Sequence, residues 1–113
     1  MSTRATVHFN DKDKTYAIIY VHSDGYPEGL GKDLERFLDD AEKLNDSRFD
    51  DPSYLATKFV VWQVNDYSDF KRAGNILDFL GVGICLEDPG DIDYCYTLDC
   101  SKGGRPKVKC KKV

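Results

Sequence analysis

The segment Tyr20-Val21-His22-Ser23-Asp24-Gly25-Tyr26-Pro27-Glu28-Gly29 gathers one imidazole, two carboxylates, two phenols, two glycines and a proline into ten residues. An imidazole titrates near neutral pH and serves as a general acid, a general base or a ligand contact. His22 and Asp24 are two residues apart at the end of a strand-like run, so they are expected on one side, with Asp24 orienting His22. Tyr20 or Tyr26 then supplies a hydroxyl donor or a stacking surface, and Glu28 a second carboxylate. The same residues also read as turn chemistry, with Asp24-Gly25 and Tyr26-Pro27 bending the chain and His22 hydrogen-bonded at a strand end. No nucleophile stands in a fixed relation to His22, so neither a Ser-His-Asp nor a Cys-His arrangement is read.

The elements around this junction follow from periodicity. Ala5 to Phe9 alternates with period two, Asn10 to Lys14 is polar turn material, and Thr15 to Val21 is rich in β-branched and aromatic residues, which predicts a β-hairpin. The second strand is apolar on both faces, as an interior strand would be. The length of the turn leaves the face occupied by His8 undecided. Leu30, Leu34, Phe37, Leu38, Ala41 and Leu44 form one helical stripe, with Glu28 or Gly29 at its start. Asp51-Pro52 provides an N-cap followed by a first-turn proline, opening a second helix to about Val64. Its Leu55, Ala56, Phe59, Val60, Val61, Trp62 and Val64 predict deeper burial than the first helix, and a strand over Lys58 to Val64 is the competing assignment.

Asn65 to Asn75 reads as a polar connection. The last third reads as a β-meander of three strands, turning at Asp88-Pro89-Gly90-Asp91 and again at Lys102-Gly103-Gly104-Arg105. The predicted fold is α+β, one domain over residues 1–113, with two layers. Its largely antiparallel sheet has about five strands, in sequence order ββααβββ, and the two helices pack on one face. Phe9, Phe37, Phe59, Trp62 and Phe79 are core candidates, while the seven tyrosines exceed what such a core needs to bury.

Cys85, Cys95, Cys100 and Cys110 are spaced by ten, five and ten residues, which does not match paired C-x-x-C knuckles. Strand parity sets Cys100 with Tyr94, Tyr96 and Leu98, and Cys95 on the opposite face, so the four do not converge and no metal is expected. Cys100 and Cys110 are expected to share the apolar face as neighbours, as buried thiols by default, with a disulfide the alternative where Cα separation and compartment permit. In the final strand, Lys107, Lys109 and Lys111 face the side of Asp93, Thr97 and Asp99. Cross-strand pairing and protection of a sheet edge account for these lysines, and phosphate binding is their alternative role.

Three segments carry a resemblance. Tyr20-x-His22-x-Asp24-Gly25-Tyr26-Pro27-Glu28-Gly29, Arg48-Phe49-Asp50-Asp51-Pro52-Ser53-Tyr54-Leu55-Ala56 and Leu86-Glu87-Asp88-Pro89-Gly90-Asp91 resemble a family of small uncharacterised prokaryotic and phage-type proteins. The resemblance implies a single-domain intracellular protein and no catalytic residue, with an inhibitor or accessory role if the chain is phage-borne.

The charge balance narrows the partners. All 20 acidic residues and 10 of the 16 basic ones lie in residues 1–101, so that part carries −10 and the remainder +6. An acidic body disfavours general nucleic-acid affinity, which leaves only the basic C-terminal strand for such a role. The opening residues contain no apolar targeting core and no span suits a bilayer, so a cytoplasmic protein is expected. The leading functional expectation is a binding or regulatory protein that recognises a protein or a small polar ligand through Tyr20, His22, Asp24, Tyr26 and Glu28. It would carry no cofactor, and a homodimer through a sheet edge is open to it. The alternatives are a small hydrolase or nuclease using His22 with Asp24 or Glu28, and a nucleic-acid accessory protein using Lys107, Lys109 and Lys111.

Overall fold

A computed structural model describes residues 3–43, 49–66 and 81–113. Five strands form one sheet: β1 (Ala5–Asp11), β2 (Lys14–Val21), β3 (Val82–Cys85), β4 (Tyr94–Asp99) and β5 (Lys107–Lys112). Between β2 and β3 lie one turn of π-helix (Pro27–Gly31), α1 (Lys32–Lys43) and α2 (Pro52–Asp66). The fold is α+β with the sequence order ββααβββ. The strands are arranged β3-β2-β1-β4-β5, and every pairing is antiparallel except that of β1 with β4.

The helices cover one face. Ala5, Val7 and Phe9 of β1, Ile19 and Val21 of β2 and Tyr96 and Leu98 of β4 form a single buried cluster with Leu30, Leu34, Phe37, Leu38, Leu55, Ala56 and Phe59. Phe59 is its aromatic hinge, with ring centroids 6.0 Å from Phe9 and 5.4 Å from Phe37. Trp62 stacks edge-on against Phe37 and donates its indole N–H to Asp40 of α1 at 2.8 Å, joining the two helices at their polar margin. The α2 N-terminus is capped as its sequence requires: Asp51 Oδ1 accepts from the backbone N–H of Ser53 (3.2 Å) and Tyr54 (3.5 Å). α2 is the more deeply buried helix, with Pro52, Leu55, Ala56, Phe59 and Gln63 inside, but Val61 is 55% exposed. Apolar residues on adjacent positions of a helix cannot all face one sheet.

The last third is not a meander. β3 pairs with β2 on one side of the sheet, and β4 pairs with β1 on the other. The connection Leu86–Asp93 therefore crosses β2 and β1, a lateral span of about three strand spacings or 14 Å. It does so over the face opposite the helices, where Asp88 meets Thr6 and His8, and it then runs alongside Arg4. Asp88-Pro89-Gly90-Asp91 bends the chain but closes no hairpin. Below this crossover Thr6 is fully buried.

β5 closes the other side of the sheet with Asp99 opposite Lys107, Thr97 opposite Lys109 and Cys95 opposite Lys111. Val108 and Cys110 share the helix-side face with Leu98 and Tyr96. Cys110 stands opposite Tyr96 and is exposed, so it is not the neighbour of Cys100, which lies beyond the end of β4. The turn before β5 is tied to α1 by Arg105, which donates to Asp39 at 2.7 Å and to Glu42 at 3.0 Å. The expectations for Leu44, Tyr67, Phe79 and the connection through Asn75 concern residues outside those described.

A pH dependence arises at the end of β4. Asp99 accepts from the Ser101 hydroxyl at 2.6 Å and the Ser101 backbone N–H at 3.0 Å, with Lys109 at 3.6 Å. The Ser101 hydroxyl first and its backbone N–H next hold the carboxyl below the usual aspartate range, with Lys109 adding to them and burial opposing. A depressed folded-state pKa contributes stability above the unfolded pKa that is lost as pH falls through the folded one. Carbon-detected titration of the Asp99 carboxyl is expected to give a midpoint below that of an unstructured aspartate, moving upward in Ser101→Ala. A midpoint in the ordinary range in both proteins would refute the assignment.

Candidate functional site

β2 delivers Tyr20 and His22 to the junction, and the next turns of backbone are held from several sides. The His22 N–H donates to the Gly81 carbonyl at 2.9 Å, and the Gly25 N–H to the Thr3 carbonyl at 3.0 Å. The buried Tyr96 hydroxyl donates to the Gly25 carbonyl at 2.7 Å. The Leu30 N–H donates to the Asp24 carbonyl at 2.9 Å, folding the chain back as the π-helical turn begins. Gly25 is buried so closely that a Cβ there would stand 2.7 Å from the Ala5 Cβ and 2.9 Å from the Thr3 oxygen. At Gly29 a Cβ would meet the Asp24 carbonyl oxygen at 2.5 Å. Only glycine allows these two approaches.

Asp24 adopts a left-handed backbone conformation, φ 58°, which few residues other than glycine and asparagine or aspartate accept. This geometry and the π-helical turn beside it are features that concentrate at functional positions. His22, Asp24, Tyr26 and Glu28 are all exposed around the fixed backbone.

The side chains pair differently from the expectation. His22 and Asp24 do not face each other: His22 Nδ1 is 2.8 Å from the Tyr20 hydroxyl, and Asp24 Oδ1 accepts from the Tyr26 hydroxyl at 3.3 Å. The strand ends at Val21, and the left-handed turn at Asp24 breaks the two-residue alternation on which that pairing depended. The Asp24 carboxylate holds the Tyr26 phenol above its ordinary pKa, with slight burial, their hydrogen bond and Glu28 acting in the same direction. Glu28 lies in the first turn after Pro27. Tyr20 and Tyr26 are the tyrosines at the junction, whereas Tyr96 lies beneath it, fully buried.

Tyr96 thus supports the loop from below, with its phenol pKa raised, chiefly by burial. Tyr96→Phe leaves the Gly25 carbonyl without its donor and is expected to cost about 1–3 kcal/mol in denaturant unfolding. A change below about 0.5 kcal/mol would show that this bond does not hold the loop.

A second constellation lies on the open face. His8 Nε2 is 2.8 Å from Asp88 Oδ1, and the Thr6 hydroxyl donates to the same oxygen at 3.3 Å. Cys95 of β4 stands opposite Thr6. One ligand atom from each of His8, Asp88 and Cys95 lies within 4.8 Å of the others, the one such group of three among the described residues. Burial pushes the Cys95 thiol up, partly offset by the Thr6 hydroxyl and Lys111 and reinforced by Asp88 and Cys110. Such a thiol is not an activated nucleophile. Sequence spacing gave no sign of this group. His8 reached the open face through a two-residue turn at Lys12-Asp13 with a register shift at Phe9/Asn10, and Asp88 reached it through the crossover.

Lys107, Lys109 and Lys111 line the outer margin of that face, where Asp99 pairs with Lys109 at 3.6 Å. No helix among the described residues is long and apolar enough to cross a membrane. No protein-family model matches the chain, and no curated protein or solved structure matches it.

Proposed function

We propose that this chain is a small cytoplasmic binding or regulatory protein that recognises a protein or a small polar ligand through Tyr20, His22, Asp24, Tyr26 and Glu28. The observation that carries this reading is a loop whose backbone is fixed by Thr3, Tyr96 and Gly81 while four of these side chains remain exposed. Binding to a backbone already in place avoids the entropy of ordering it. Tyrosines suit such a surface because each offers a rigid apolar ring and a polar tip. Asp24 and Glu28 give the surface acceptor character, which favours a partner presenting donors or positive charge. His22 shares its Nδ1 with a phenol rather than a carboxylate, which supports recognition over general acid–base chemistry.

The test immobilises the wild-type chain and the His22→Ala/Tyr26→Ala double variant, after their melting curves are matched, and compares what each retains from cell extract. The reading expects a species held in stoichiometric amount by the wild type and reduced at least about tenfold by the variant, as for the loss of a hot-spot aromatic. A wild-type chain that retains nothing, or a variant that retains as much, overturns it.

A further inference from the structure

We propose that His8, Asp88 and Cys95 form a binding site for a divalent transition metal of the zinc class, clamping the Leu86–Asp93 crossover to the centre of the sheet. The three residues come from β1, the crossover and β4, so the fold rather than local sequence assembles them. Imidazole, carboxylate and thiolate together are the donor set that borderline-soft zinc takes, and a purely oxygen-seeking cation does not use the sulfur. Metal–ligand lengths of about 2.0–2.3 Å in tetrahedral geometry put ligand atoms about 3.3–3.6 Å apart. The His8–Asp88 pair at 2.8 Å must open slightly, and the other separations, none above 4.8 Å, must close by about an ångström at most.

Charge and surroundings are consistent with this site. A thiolate and a carboxylate balance a dication, so the filled site is neutral, which suits His8 with its side chain only 14% exposed. The Thr6 hydroxyl, bonded to Asp88, supplies the outer contact that fixes a ligating carboxylate. Three protein ligands leave the fourth position to solvent, on the side where Asp88 is half-exposed. Lys111, opposite Cys95, is exposed and can keep its ammonium in water on its flexible stem. The ordinary alternative is a His8–Asp88 hydrogen bond that merely pins the crossover, and it requires nothing of Cys95.

The test titrates Co2+ and then Zn2+ into reduced, chelator-treated protein. The expected result is one equivalent of Co2+ with a thiolate-to-cobalt charge-transfer band that zinc displaces, together with a rise in melting temperature of about 5 °C or more at saturating zinc. The band is expected to vanish in Cys95→Ser and to survive in Cys85→Ser/Cys110→Ser. Asp88→Asn, on a half-exposed side chain that can still bond His8, keeps the fold and is expected to weaken binding at least about tenfold. Metal-free melting curves verify that each variant is folded. No band in the wild type, a band that persists in Cys95→Ser, or a band that is lost in Cys85→Ser/Cys110→Ser overturns the proposal.

Discussion

Phe59→Ala is expected to lower unfolding free energy by about 3–5 kcal/mol, while Val61→Ala, two residues along the same helix, stays within about 0.5 kcal/mol. The phenyl ring of Phe59 is wholly buried between Phe9 of the central strand and Phe37 of α1, so its removal opens a cavity where both helices meet the sheet. Val61 points away, and truncating it removes little that is out of water. Because domains are stable by about 5–15 kcal/mol, the Phe59 variant loses a large share of its margin. Urea unfolding of the two variants decides the matter. Equal losses would mean that α2 presents a different face to the sheet.

Gly25→Ala is expected to cost about 1–3 kcal/mol by overpacking. The added methyl would sit 2.7 Å from the Ala5 side chain and 2.9 Å from the Thr3 carbonyl, so β1 or the loop must move. Gly83→Ala, in β3 with open space around its Cβ position, serves as the control and is expected to be neutral or slightly stabilising. The Gly25 variant is also expected to shift the amide resonances of His22 to Glu28, since the displaced backbone is that of the loop. An unchanged unfolding midpoint would show that Gly25 is not pressed against β1.

The contrast between these positions explains how much of the molecule could be read in its residues. Local signals were sufficient where one element's own pattern decides its structure. The Leu30 to Ala41 stripe gave α1, Asp51-Pro52 gave the start of α2, and alternation from Tyr94 to Lys111 placed Cys95 and Cys100 on opposite faces. Valine at 61 could not be distinguished from valine at 60 by hydrophobicity, and only packing shows which one faces the sheet. Pairing was also illegible. Nothing in Val82–Cys85 says that it joins β2 at the far side rather than β4, because both neighbours offer the same backbone ladder.

The junction at His22 was visible from its composition, but its internal pairing was not. Alternation places His22 beside Asp24 only while the strand continues, and the chain leaves strand geometry after Val21. The role of Tyr96 in holding Gly25 depends on a contact across 71 residues, which local patterns do not encode. The same holds for His8, Asp88 and Cys95, brought together by a short turn, a crossover and a parallel pairing.

Recognition through this loop requires that the His22–Glu28 backbone be fixed before any partner arrives. Amide hydrogen exchange in the free protein measures this directly. Gly25, bonded to Thr3, and Leu30, bonded to Asp24, are expected to exchange slowly, in the range of the β1 core amides. Exchange of both at the rate of an unstructured peptide would contradict it, leaving the exposed tyrosines and acids on a loop with no geometry of its own to recognise anything.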